Sequence, residues 1–338
     1  MMGGIRRLLG FSDGEEEETI ASNITQLVGR TPLVELKKIM EKDMLEARVI
    51  GKMEFFQPLG SIKDRGALSM IEDAEEKGLI RAGISTVVTH TSGNLGIGMA
   101  FIAIQKGYRF TAVVPGDGYS LEKQILLKYL GADVVHCDPN LGVKGIYDKL
   151  YEVCSAIPDS HLIDQFTNPA NPGAHFRNTG PEIWKDTGGR IDVLVCGVGS
   201  GGTFSGTGKY LKMKNPHVKV IVVEPSESPV LSGGQAGRHL IQGIGAGVIT
   251  DVMDTSIIDE IITVSSEEAI KNSRRLASEE GILAGISSGA ALAASLRVAG
   301  RSENKGKMVV TIFPSGGERY MRTQLFAEAR EYCEKMNA

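Results

Sequence analysis

Lys63 is the residue whose type and position most plainly invite covalent chemistry. It lies in Gln57-Pro58-Leu59-Gly60-Ser61-Ile62-Lys63-Asp64-Arg65, after a β-rich run at residues 47–56. Beyond it, Ala67, Leu68, Met70, Ile71 and Ala74 recur at helical spacing over residues 65–77. Pro58 and Gly60 break the strand, and Ser61 with Asp64 matches a capping box. Lys63 is therefore expected in the first turn of a helix, past the C-terminal end of a strand. The partial positive charge of a helix N-terminus disfavours a second cation and pushes an amine toward its neutral, nucleophilic form, which imine chemistry needs. A lysine taken alone is more often a solvated surface residue.

Three further junctions carry unusual residues. Thr91-Ser92-Gly93-Asn94-Leu95-Gly96 follows a strand expected to end at Val88. A turn of small residues entering a helix offers backbone N–H groups to an anion such as a carboxylate, though plain turn chemistry with a good N-cap explains it as well. Gly197-Val198-Gly199-Ser200-Gly201-Gly202-Thr203 follows the run at residues 191–196. Its glycines permit an anion-cradling nest ahead of a helix dipole, which suits a phosphate. The same residues satisfy G-x-G-x-x-G, and Glu224 ends the next strand at roughly the spacing of a ribose-binding acid, so on spacing a nicotinamide dehydrogenase competes. Gly285-Ile286-Ser287-Ser288-Gly289-Ala290 opens an Ala-rich helix, and a capped helix start accounts for it without a ligand.

The elements that must position these junctions alternate. Strands are expected at residues 85–88, 109–114, 133–136, 192–197, 219–224 and 308–313, with helices at 95–106, 121–130, 143–156, 203–213 and 267–279. Repeated βα units imply mostly parallel sheets covered by helices on both faces, with ligands where strands end and helices begin. The 338 residues suffice for two domains, and 42% hydrophobic content fills substantial cores. Forty-two glycines and a single tryptophan suit a glycine-looped α/β enzyme. A net charge of −4 provides no field to recruit nucleic acid. Cys137, Cys154, Cys196 and Cys333 are scattered without metal-like spacing and read as reduced thiols, hence a cytoplasmic location. No apolar run approaches a membrane span. The acidic run at residues 15–18 argues against a signal or transit peptide, and residues 1–22 are expected as a disordered arm. A stretch rich in Asn, Pro and Gln at residues 164–172 is the expected crossing between domains.

Together the junctions resemble the cysteine synthase and β-cyanoalanine synthase family, pyridoxal-phosphate enzymes of fold type II. The resemblance runs from about Ser22 to Phe326. It rests on an ordered set that includes Val28-Gly29-Arg30-Thr31-Pro32-Leu33, Ser61-Ile62-Lys63-Asp64-Arg65, Thr91-Ser92-Gly93-Asn94 and Thr179-Gly180-Pro181-Glu182-Ile183-Trp184. It continues through Gly199-Ser200-Gly201-Gly202-Thr203, Glu224-Pro225-Ser226-Glu227-Ser228-Pro229-Val230-Leu231, Gln242-Gly243-Ile244-Gly245-Ala246-Gly247, the Ser287 junction and Pro314-Ser315-Gly316-Gly317-Glu318-Arg319-Tyr320. The resemblance decides against the dehydrogenase and makes Glu224 part of a structural Glu-Pro motif.

It implies two doubly wound, mostly parallel-sheet α/β domains with pyridoxal 5'-phosphate in the cleft between them. Residues 57–167 would form a smaller, mobile domain, and residues 23–56 with 168–338 the larger one. Lys63 would carry the cofactor as a Schiff base and then act as general base. Gly199, Ser200, Gly201, Gly202 and Thr203 would hold its phosphate, Asn94 its ring hydroxyl oxygen, and Ser287 its ring nitrogen. Thr91, Ser92, Gly93 and Gln165 would bind the substrate carboxylate, and Gly243 would lie near the amino group. No metal is implied. The implied reaction converts O-acetyl-L-serine and sulfide to L-cysteine and acetate through an aminoacrylate. The alternatives are L-3-cyanoalanine synthase, using cysteine and cyanide, and a low-activity paralogue that binds or senses. A homodimer and a serine acetyltransferase C-terminal tail are the implied partners beside the small amino-acid substrate.

The sequence departs from the family pattern in places. Leu95 stands where Thr is common, and Gln57 where Asn precedes the proline. Segments 115–123, 141–145 and 235–239 lack customary residues; the first normally contains Met-Ser and Glu-Arg. Ser200 and an apolar residue at 95 are similar to plant β-cyanoalanine synthases, whereas Gln242-Gly243-Ile244-Gly245 resembles the sulfide-using branch. The departures bear on substrate identity and leave the cofactor unaffected.

Overall fold

The computed structural model describes residues 20–91, 93–116 and 121–336. Most of the expected N-terminal arm, and Ser92 of the carboxylate loop, lie outside the described residues. In chain order, β1 (Leu33–Glu35), α1 (Lys37–Lys42) and β2 (Arg48–Met53) lead to α2 (Lys63–Glu76), β3 (Thr86–His90) and α3 (Asn94–Gln105). Next come β4 (Arg109–Pro115), α4 (Leu121–Tyr129), β5 (Asp133–Cys137), α5 (Gly142–Ala156) and β6 (Ser160–Leu162). Short helices α6 (Ala170–Ala174) and α7 (Gly180–Asp186) precede β7 (Val193–Gly197), α8 (Gly202–Lys214) and β8 (Lys219–Pro225). The order is completed by β9 (Glu260–Val264), α9 (Ser266–Arg275), α10 (Ile286–Ala299), β10 (Met308–Phe313) and α11 (Ala327–Met336).

Two sheets result. One has the order β5-β4-β3-β6 and is parallel throughout. The other has the order β1-β2-β10-β7-β8-β9 and is parallel except where β1 runs against β2. The chain leaves the second sheet after β2, builds the first and returns at β7, so β2 sits beside β10 with Val49 opposite Val309. Residues 164–172 lie between β6 and β7, strands of different sheets.

The apolar runs of β7 and β8 follow from burial on both faces. Val193, Val195, Ile221 and Val223 pack with Ile286 and Leu292 of α10, whereas Leu194, Val220 and Val222 pack with Phe204 and Leu211 of α8. In the other sheet Val87, Phe110 and Ala112 meet Met70 of α2 and Met99 of α3, while Val88 and Val113 meet Leu150 and Val153 of α5. Among the described residues no helix is long and apolar enough to cross a membrane.

Several local expectations are corrected. The strand expected to residue 56 stops at Met53, because Glu54–Phe56 turns as a 3-10 helix that brings Glu54 inside against Arg65. The capping box does not form. Ile62 is already helical and takes the N-cap position, Ser61 Oγ is buried without a hydrogen-bond partner, and Asp64 accepts instead from Leu59 N at 2.7 Å. Strand β3 runs on to His90, and the helix expected to residue 279 passes into a π-helical turn at Leu276–Glu280. The short strands β1, β6 and the longer β9 lie where no strand was expected.

Candidate active site

The two halves of the chain face each other across a cavity of about 820 Å³, within the range of small-molecule sites. Lys63, the first residue of α2, is part-buried and lines this cavity. Burial pushes its ammonium below the ordinary lysine range, and the neighbouring Cys196 opposes this only in part. Burial likewise pushes the Cys196 thiol up to about 12, so the sulfur stays protonated beside the amine. A neutral amine facing a cavity is a nucleophile and a base.

Opposite stands the glycine loop between β7 and α8. Gly201 is left-handed at φ 89° and forms the N-cap of α8, and Gly199, Ser200, Gly201 and Thr203 line the cavity at this helix start. A Cβ on Gly199 would meet Gly243 O at 2.6 Å, so only glycine lets these two strands of loop approach. Thr203 Oγ1 lies 3.3 Å from His175 Nε2, and His175 Nδ1 lies 2.9 Å from Thr179 Oγ1. Ser200 Oγ accepts from Asn171 Nδ2 at 3.1 Å, and Ser200 O from Thr250 Oγ1 at 2.6 Å. The cradle is thus braced from behind.

The third wall is the start of α3. Thr91 Oγ1 accepts from Gly93 N at 3.1 Å and Gly96 N at 3.0 Å, so this hydroxyl builds the turn and serves as a helix cap. Asn94 Oδ1 accepts from Arg319 NH1 at 2.8 Å, and its Nδ2 points to Tyr320 Oη at 3.4 Å. Tyr320 Oη in turn lies 2.8 Å from Ser315 Oγ. Ser287 is buried in the first turn of α10 and lines the cavity, as do Gln165 and Gly243, the latter left-handed at φ 98°.

Lys63, Thr91, Gly93, Asn94, Gln165, Gly199, Ser200, Gly201, Thr203, Gly243 and Ser287 therefore share one cavity. Gly202 is buried just behind its wall, opening α8, and Ser92 is outside the described residues. Sequence reasoning missed Lys123, Arg319 and His175 as contributors. Arg319 falls within the Gly-Glu-Arg-Tyr motif, which was the available signal. Lys123 offered none, since a lysine on an amphipathic helix reads as solvated.

Glu224 is fully engaged: its carboxylate accepts from Leu231 N at 2.8 Å, Ser232 N at 2.9 Å and Ser232 Oγ at 2.6 Å. It closes its own loop and is not offered to a ribose. The remaining donor set fits pyridoxal phosphate. There is an enclosed amine for an aldehyde, an anion cradle too tight for any Cβ at Gly199, and a buried neutral hydroxyl at a helix start for a ring nitrogen.

Comparison with known proteins agrees. Residues 24–315 match the family model described as "Pyridoxal-phosphate dependent enzyme". The chain is 45% identical over 311 residues to "Cysteine synthase 3" of Caenorhabditis elegans, covering 92% of this chain and 91% of that one. It is 46% identical over 309 residues to a cysteine synthase of Staphylococcus aureus, covering 90% and 97%. The crystal structure of a cysteine synthase from Entamoeba histolytica superposes with a TM-score of 0.87 at 38% identity, covering 94% of both chains. On fold, site and sequence together, the chain belongs to the pyridoxal-phosphate-dependent enzyme family.

Proposed function

We propose that the chain catalyses β-replacement on O-acetyl-L-serine, exchanging acetate for sulfide to give L-cysteine. The observation that carries this reading is the enclosed Lys63 amine in the same cavity as the Gly199–Thr203 anion cradle. The named activity of the relatives, cysteine synthase, supports it.

When bound, pyridoxal phosphate supplies an aldehyde for covalent capture of an amine and a ring that accepts the electron pair left at the substrate α-carbon. Lys63 would hold the cofactor through Nζ, and the same neutral Nζ, when free, would take the substrate α-proton. The backbone N–H groups of Gly199 to Thr203, with the dipole of α8, hold the phosphate. Arg319 fixes the Asn94 amide so that Nδ2 is the donor available to the ring oxygen. Ser287 would offer the ring nitrogen a neutral hydroxyl, a weaker partner for a protonated ring than a carboxylate. Gly93 and Gln165, with the turn that Thr91 builds, receive the α-carboxylate. Residues 57–167 close over the bound ligand and exclude water.

A second reading, β-cyanoalanine formation from cysteine and cyanide, is favoured by Leu95, which is buried in the apolar core beside the carboxylate loop and brings no hydroxyl to it. Side-by-side turnover of O-acetylserine with sulfide and of cysteine with cyanide separates the two. Faster cysteine formation supports the proposal, and turnover of the cyanide pair alone overturns it.

A further inference from the structure

Helix α4 delivers a second amine to the cavity. Lys123 is only 3% exposed, yet it lines the same space as Lys63. Its Nζ donates to Gln242 Oε1 and stands 4.7 Å from the centroid of the Tyr320 ring. Gln242 lies between β8 and β9 and Tyr320 follows β10, strands of the six-stranded sheet, whereas α4 packs on β5 of the other sheet. The side chain therefore spans the cleft.

Its charge is incompletely matched. Among the described residues the carboxylate within 4 Å is Glu122, at 3.9 Å, beyond hydrogen-bonding distance. A buried ammonium held by one neutral amide and one ring face retains N–H donors and calls for an anion. The direction in which that anion would lie is set by Gly93. A Cβ built on Gly93 would stand 3.1 Å from Lys123 Cδ and 4.0 Å from its Nζ, so the lysine lies directly over the start of α3. There the N–H groups of Asn94 and Leu95 have no partner within the helix. Leu95 contributes no side-chain donor of its own.

We infer that Lys123 is a specificity-determining residue that binds the α-carboxylate of the amino-acid substrate, reaching across from α4 as the carboxylate docks at the first turn of α3. This rests on the β-replacement reading and adds to it the group that prefers an α-carboxylate to its amide. Burial, with repulsion from Arg319 added and Glu122 opposing, brings the lysine down to about 8, so it still carries its charge at neutral pH, and a docked carboxylate would draw it back up.

The test uses holoenzyme and two ligands without a β-leaving group, L-alanine and L-alaninamide, titrated by the change in visible absorption. Removing a charge-assisted hydrogen bond predicts that Lys123→Met weakens alanine binding by about 10–100-fold. Alaninamide binding stays within about twofold of wild type, and Lys123→Arg regains most of the preference for alanine. Far-UV circular dichroism checks folding, and Lys123→Gln serves the same comparison should the Met variant not fold. Equal weakening of both ligands assigns Lys123 a purely structural role and overturns the inference. So does an unchanged preference in a variant whose wild-type parent makes cysteine, which leaves the β-replacement reading intact. Wild-type holoenzyme that responds to neither ligand overturns both together.

Discussion

The guanidinium of Arg65 meets the carboxylate of Glu182 in two hydrogen bonds of 2.7 Å, NH1 to Oε1 and NH2 to Oε2. Its other edge binds Glu54, Nε to Oε2 at 2.8 Å and NH2 to Oε1 at 2.9 Å. Lys52 joins them, donating to Glu182 Oε2 at 2.8 Å and to Thr31 O at 2.6 Å. Two cations thus balance two carboxylates. The network ties the first turn of α2, where Lys63 stands, to β2 and to α7. Burial alone would raise the Glu182 carboxyl; Arg65 and Lys52 instead draw it down to about 2.

Arg65→Met leaves Glu54 buried without its main counter-charge. Breaking a buried pair from one side costs about 3–5 kcal/mol. Urea unfolding measures this, and a loss under about 1 kcal/mol contradicts the role assigned to the network.

Gly199→Ala places a Cβ 2.6 Å from the Gly243 carbonyl oxygen, backbone against which no side chain can swing aside. The cradle must open, and pyridoxal-phosphate affinity falls by about 10–100-fold while the apoprotein keeps its secondary structure. Titration of apoprotein with the cofactor reads the effect, and unchanged affinity removes the phosphate from this loop.

His175 is held down to about 3, first by burial and then by the nearby Arg65. Unfolded, it titrates near 6.5. Between these values the unfolded chain binds the additional proton, so stability rises with pH in that window. The contribution is fully present above about 6.5 and is lost as pH falls toward about 3. His175→Gln removes it, giving a flatter dependence of unfolding free energy on pH between about 6.5 and 4. Urea titrations at stepped pH test this, and identical slopes contradict it.

Much of the frame was legible because burial on both faces writes itself into a strand. Met308–Phe313, six apolar or β-branched residues in a row, is β10 with the bounds expected. The glycine loop was legible since few other residues tolerate φ 89° at Gly201 or the approach at Gly199. The capping box at Ser61 failed because Ile62 is already helical, and Ser61 itself pairs with Ser315, a partner too distant in sequence to be read locally. Strands β1 and β6, three residues each, are too short for periodicity to register. Lys123 is buried against Gln242, Tyr320 and Gly93, all distant from it in sequence.

The central claim is that Lys63 carries the cofactor. Borohydride reduction of the holoenzyme, followed by peptide mapping, fixes a pyridoxyl group on whichever amine holds it. The added mass is expected on Lys63, with no label and no visible band in Lys63→Ala. Label on Lys123, the other lysine lining the cavity among the described residues, or on any other amine contradicts it.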